Sequence, residues 1–271
     1  MNRIILLIVA CVFTTSIVAS EITLINNGKP GGSSDARTKL YHDGLKNLGY
    51  DVTYENIGKL TQAVDFFSKV DGPVMMAYVN IFASSQNIVH TKENYVITEY
   101  MQPLYLCATQ TVKSLPNEVT VAYGKSYNPL MIANILQAIG KEATLVPYKN
   151  SSAVLEAILG GDVHIAFNNQ SKSLKFMKTG KGTCFGHTGE GMVIGVPSLT
   201  DQYAIDFELP IMIATVIAKN TDNMQLRKDL TKILAGNDFV EYHTKQQLIT
   251  NANQGWDEAF VIVHDSEKLW K

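Results

Sequence analysis

The sequence predicts an α/β protein built as two lobes, and three observations carry this. From Ile22 onward, short β-forming runs alternate with segments whose apolar residues recur roughly every three to four positions. Val74-Met75-Met76-Ala77-Tyr78-Val79 is a continuous apolar run, the pattern of a strand buried on both faces. A second alternating series starts at Val119, after the charged, proline-containing turn 113–117. Such alternation points to a parallel sheet covered by helices, with ligands beyond the carboxyl ends of the strands. A chain of 271 residues is long enough for two lobes of ordinary size.

Residues 1–20 are expected to be removed. Arg3 gives a positive start, residues 4–18 are mostly apolar, and Val18-Ala19-Ser20 fits a small-residue cleavage site before Glu21. This is the pattern of a secretory signal peptide. Ile8-Val9-Ala10-Cys11 also resembles a lipoprotein processing box, but the apolar core before Cys11 is short and continues past it. No later segment approaches the roughly 18 apolar residues that a membrane span needs. Lys and Arg total 23 against 25 Asp and Glu, a formal net charge of −2, which argues against a nucleic-acid partner. Cleavage leaves Cys107 and Cys184, either as a disulfide or as buried apolar thiols.

The first mature strand holds Ile22, Leu24 and Ile25, and Gly28, Pro30, Gly31 and Gly32 break it. Ser33, Ser34 or Asp35 can cap a helix that buries Ala36, Leu40, Tyr41, Leu45 and Leu48 and stops at Gly49. A glycine loop opening onto a helix N-terminus offers backbone N–H groups and the positive end of a helix dipole, an arrangement that suits an anion. Asp51 to Glu55 reads as a short strand and Leu60 to Val70 as a helix with Leu60, Val64, Phe67 and Val70 inward. The apolar run Val74 to Val79 follows. Tyr95 to Ala108 is extended and interrupted at Pro103.

In the second series, Val119 to Gly124 is a strand, Asn128 caps a helix and Pro129 takes its first position. Thr144 to Tyr148 is a strand, and Ser151 or Ser152 caps the next helix. Val163 to Phe167 leads to Asn168 and Asn169. The basic stretch from Lys172 to Lys181 reads as a solvated helix face. Met192 to Val196 and Ile211 to Ile217 read as strands. Thr221 or Asp222 caps a helix, another spans Asp238 to Leu248, and the apolar segment 256–263 packs back on the first lobe.

Two stretches and one dipeptide carry a resemblance. They are Pro30-Gly31-Gly32-Ser33-Ser34-Asp35, then Val146-Pro147-Tyr148-Lys149 with Leu159-Gly160-Gly161-Asp162 and Phe167-Asn168-Asn169, and Tyr123-Gly124 before a polar loop. Together they resemble the solute receptors of tripartite tricarboxylate transporters. The resemblance implies a type II periplasmic-binding fold, in which two α/β lobes joined by two extended crossovers close around a carboxylate. It implies lobe boundaries of 21–108, 109–212 and a return over 213–271, with hinges near 105–111 and 210–218. By matching position it implies that Pro30, Gly31, Gly32, Ser33, Ser34 and Asp35 meet Ser126, Tyr127 and Asn128 across the ligand. It adds the Tyr78–Asn80 loop on the first-lobe side, and Asn168 and Asn169 on the second. The family has Asp where Asn168 stands, so an anionic acceptor becomes a neutral amide.

On these grounds the expected protein is a periplasmic, monomeric, non-enzymatic receptor. It would pass a small organic anion to the membrane permease of a secondary transporter, with no cofactor, no metal and no nucleic acid. The alternatives are a receptor for an amino acid, phosphonate or aromatic acid, and a secreted α/β enzyme using Cys184 and His187. The six histidines are scattered, and no Gly-x-Ser-x-Gly or P-loop pattern is present.

Overall fold

The computed structural model describes residues 21–79, 95–112, 114–191, 193–219, 224–248, 265 and 268. Ten strands follow in chain order: β1 (Glu21–Asn26), β2 (Asp51–Asn56), β3 (Val74–Val79), β4 (Tyr95–Gln102), β5 (Leu104–Thr109), β6 (Glu118–Gly124), β7 (Glu142–Tyr148), β8 (Ile165–Asn169), β9 (Gly182–His187) and β10 (Met212–Lys219). They form two five-stranded sheets, ordered β2-β1-β3-β10-β4 and β7-β6-β8-β5-β9. The two orders follow one plan. Three parallel strands of each lobe come first, then an antiparallel strand lying next to a crossover, then an edge strand. The sheets are therefore mixed, whereas alternation alone implied parallel ones. β5 and β10 reach their sheets from the opposite lobe rather than through a helix, so the parallel rule for β–α–β units does not bind them.

The chain leaves the first sheet at Gln102 and enters the second at Leu104. Pro103 has no N–H to give to a ladder, which makes it a natural break between sheets. The expected 108/109 division thus falls inside β5, because Leu104 to Ala108 pair with β8 and β9. The return crossover ends where β10 starts at Met212.

Helices cover both sheets: α1 (Ser33–Asn47), α2 (Leu60–Lys69), α3 (Pro129–Ala138), α4 (Ser151–Gly160), α5 (Gln170–Lys178), α6 (Leu199–Tyr203), α7 (Met224–Leu234) and α8 (Asn237–Lys245). In the first lobe, Ile22, Leu24, Tyr41, Leu45, Met75 and Phe239 pack on one face of the sheet. Ile25, Phe67, Val74, Met76 and Ile217 pack on the other. The continuous apolar run in β3 is thereby explained, since alternate residues feed opposite layers. The second lobe repeats this, with Val121, Ile132, Leu136 and Phe167 in one layer and Ala122, Val154, Ile158 and Phe176 in the other. Each fully buried side chain of this size contributes about 1.5–3 kcal/mol.

Several local expectations change. α1 has Gly32 at its N-cap position with no side-chain cap, and α4 is capped by Asn150, which accepts from Ser152 N and Ala153 N. Asn128 caps α3 as expected. Leu48 is exposed, and α1 buries Arg37 instead. No strand forms over 193–196, because Ile194 and Gly195 take φ values of 50° and 75° and turn the chain. Cys107 and Cys184 are bonded as a disulfide between the paired strands β5 and β9. The signal segment 1–20, Asn80, the Tyr78 side chain, the Thr221/Asp222 cap and segment 256–263 lie outside the described residues. No helix among the described residues is long and apolar enough to cross a membrane.

Candidate functional site

A cavity of about 240 Å³ lies between the lobes. The first lobe lines it with Asn27, Ser33, Ser34, Arg37, Ala77, Val79, Tyr100 and Gln102. The second lobe contributes Asn169, Ser171 and Lys172, and Met212, Gln246 and Leu248 complete the wall. It sits beyond the carboxyl ends of β1, β3 and β8, where open α/β sheets hold ligands. The volume is below the roughly 300 Å³ at which drug-sized pockets begin, so it suits a small metabolite. A larger concavity of about 680 Å³ involves Gln110, Lys141, Phe185 and Tyr203 of the second lobe alone and none of the sequence-predicted residues.

The first wall is built by the loop after β1. Gly32 N donates to Lys29 O at 3.0 Å, with Pro30 second and Gly31 third in the turn at φ 75°. Pro then Gly at positive φ is the sequence that a type II turn requires. Asp35 holds this turn from behind. Its carboxylate accepts from Gly31 N and Lys39 Nζ at 2.8 Å each, from Asn26 Nδ2 at 3.2 Å, and from the Tyr54 hydroxyl. The Lys39 and Tyr54 hydrogen bonds hold it down at about 2, against an ordinary 3.8. Ser34 Oγ donates to Asn27 Oδ1 at 2.7 Å, and Ser33 Oγ bonds Tyr242 OH at 2.9 Å. The Ser34 proton is thus committed within the protein, and the Ser33 hydroxyl is shared with Tyr242. What α1 offers the cavity is its uncapped first turn, with backbone N–H groups and the positive dipole end.

The opposing wall is the start of α5. Asn169 caps it by accepting from Lys172 N at 3.0 Å. Asn168 ties β8 to α4 instead, donating to Ser151 O at 2.9 Å. Lys172 reaches the cavity half-buried, and its ammonium donates to Ser152 Oγ at 3.4 Å. Among the described residues no carboxylate pairs with Lys172, and no Asp or Glu lines the cavity.

Beneath the cavity lies a buried ion pair. Arg37 Nε donates to Glu99 Oε2 at 2.5 Å and Arg37 Nη2 to Thr215 O at 2.9 Å. Burial alone would favour the neutral guanidine, but Glu99 and then Tyr100 more than offset this and raise its pKa. The guanidinium lies 5.7 Å from the Tyr100 ring centre.

The cavity brings together Ser33, Ser34 and Asn169 of the sequence-predicted set. Pro30, Gly31, Gly32 and Asp35 shape the loop without lining it. Ser126, Tyr127, Asn128 and Asn168 do not line it either. Tyr127 is buried edge-on against Phe167, and Asn128 is spent on its helix cap. Sequence reasoning missed Asn27, Arg37, Gln102, Ser171 and Lys172. Arg37 lies four residues after Ser33, so helical spacing alone could have placed both on one face. Gln102 carries no local signal. Cys184 is consumed by its disulfide, and His187 is buried with Nδ1 accepting from Gly189 N at 3.0 Å. Neither lines the cavity. No group of three or more metal-ligating side chains occurs among the described residues.

No family model matches the chain, and no curated protein matches it. Solved structures do. A TctC solute-binding protein from Polaromonas superposes with a TM-score of 0.73 at 14% identity, covering 94% of this chain and 98% of its own. An R. palustris protein with adipate gives 0.71 at 16% identity, covering 92% and 94%. MatC from Rhodopseudomonas palustris with bound malate gives 0.68 at 14% identity, covering 94% and 98%. The chain has the two-lobed fold of these periplasmic-binding proteins.

Proposed function

We propose that this chain is an extracytoplasmic solute receptor, of the kind that serves tripartite tricarboxylate transporters, and that it holds a small carboxylate between its lobes. One observation carries the reading. The N-termini of α1 and α5 face a single cavity from opposite lobes, with Lys172 beside it and no lining acid among the described residues. Two positive dipole ends and an ammonium suit an anion that bridges both lobes. Bridging favours the closed state by differential affinity, and a permease would then receive the ligand. The periplasm fits the expected signal segment. An amino-acid ligand fits less well, because its ammonium would meet no carboxylate among the described residues of the wall.

The test is calorimetry on the chain from Glu21 onward, with malate, succinate, adipate, citrate and tricarballylate, and with amino acids as the contrast. Binding of at least one carboxylate without turnover is expected. Lys172→Ala should weaken it about tenfold, the cost of one charge-assisted hydrogen bond. Silence across the acids would end the carboxylate reading, and a hit confined to amino acids would replace it.

A further inference from the structure

Gln102 ends β4 at the first crossover and pairs in register with Met212, which opens β10 at the second. Both residues line the interlobe cavity. The Gln102 side chain is only 3% exposed. Its Oε1 has no hydrogen-bond partner among the described residues, and its Nε2 reaches only the Met212 sulfur at 3.9 Å. A buried amide left in this state is destabilising, so a group that fills the cavity and pairs with it adds a hydrogen bond the described residues do not make. Three other polar lining side chains are already engaged: Asn27 by Ala77 O and Ser34 Oγ, Asn169 by Lys172 N, and Ser171 by Gln246 O at 2.8 Å.

We propose that Gln102 selects ligands carrying a hydroxyl on the carbon skeleton between their carboxylates. This rests on the carboxylate-receptor reading above. The hydroxyl donates to Gln102 Oε1, while the carboxylates take the helix N-termini and Lys172. A hydroxyl suits the position better than an ammonium, because no acid among the described lining residues would compensate a second positive charge. Selectivity arises because a ligand without the hydroxyl closes the lobes over an amide that stays unpaired.

The experiment compares matched pairs by calorimetry, L-malate against succinate and citrate against tricarballylate, on the wild-type chain and on Gln102→Met. The wild type should prefer the hydroxylated member of at least one pair by about tenfold or more. Gln102→Met should bring that ratio to within about threefold, chiefly through loss at the hydroxylated acid. A wild-type ratio near one overturns the proposal without needing any variant. Equal losses for both members in Gln102→Met also overturn it, by making the amide a general carboxylate contact. In either case binding itself persists and the receptor reading stands. Failure of the wild type to bind any of the four acids overturns this proposal, and silence from adipate as well ends the receptor reading.

Discussion

Arg37 and Glu99 show how one residue can serve both stability and the site. Each is almost without solvent contact; Arg37 lines the cavity, and Glu99 holds it from behind without lining it. Taking two charges out of water is expensive, and pairing offsets that only while both partners remain. Arg37→Met leaves Glu99 uncompensated and should cost about 3–5 kcal/mol in urea unfolding. The double variant Arg37→Met with Glu99→Leu should recover most of that loss. A single variant as stable as wild type would show that the pair does not support the folded state. Asp35 illustrates the other use of a buried acid. It is near the ligand loop in sequence but faces away, and its negative charge anchors the turn that presents α1.

At the scale of elements, the start of each cleft-facing helix is built differently. α1 is left without a side-chain cap, whereas α5 is capped by Asn169. The uncapped end leaves more backbone donors available to a ligand. β9 lies at the edge of the second sheet, and Gly182 and Gly186 dilute the strand signal of Thr183 and Phe185. The bond from Cys184 to Cys107 holds it on β5 and closes a loop across a separation of 77 residues. Reduction, or Cys107→Ser with Cys184→Ser, should lower stability by about 2–4 kcal/mol. Thermal unfolding with and without reductant checks this, and an unchanged midpoint would mean that strand pairing alone suffices.

For the whole molecule, the lobes touch across the cleft as well as through the crossovers. Gln170 Nε2 donates to Gln247 O and Ser171 Oγ to Gln246 O, both at 2.8 Å, joining α5 to the turn after α8. Just inside that turn sits His243, fully buried among Tyr100, Phe239 and Tyr242. Burial first, and Arg37 second, push its pKa down to about 4 from 6.5. His187 in the other lobe is lowered in the same direction by burial. Between about 6.5 and about 4 the unfolded chain takes the His243 proton before the folded chain does. Stability should therefore fall as pH drops from about 6.5 towards about 4, by at most about 1.4 kcal/mol per pH unit from His243, less what solvent screening removes, with His187 acting in the same direction. Urea unfolding at neutral and mildly acidic pH reads this directly. His243→Phe should flatten the slope, and an equally steep slope in that variant would place the titration elsewhere.

The sequence by itself determined the α/β class, the two lobes, most element positions and the turn–helix at Pro30–Asp35. These follow from local periodicity, from glycine and proline chemistry, and from caps such as Asn128, all of which act within a few residues. It also pointed to Ser33, Ser34 and Asn169 as cleft residues, because helix N-termini at strand ends are visible in order along the chain. Only the tertiary structure decided the rest. Pairing of β10 with β3 and β4 made the first sheet mixed and put Gln102 opposite Met212. The apposition of α5 to the first lobe turned Lys172 from a surface charge into a cavity wall. The partner of Arg37 lies in β4, far along the chain, and its burial depends on that strand being in place. Such contacts join residues tens to hundreds of positions apart, and no local pattern encodes which distant strand will lie beside which helix.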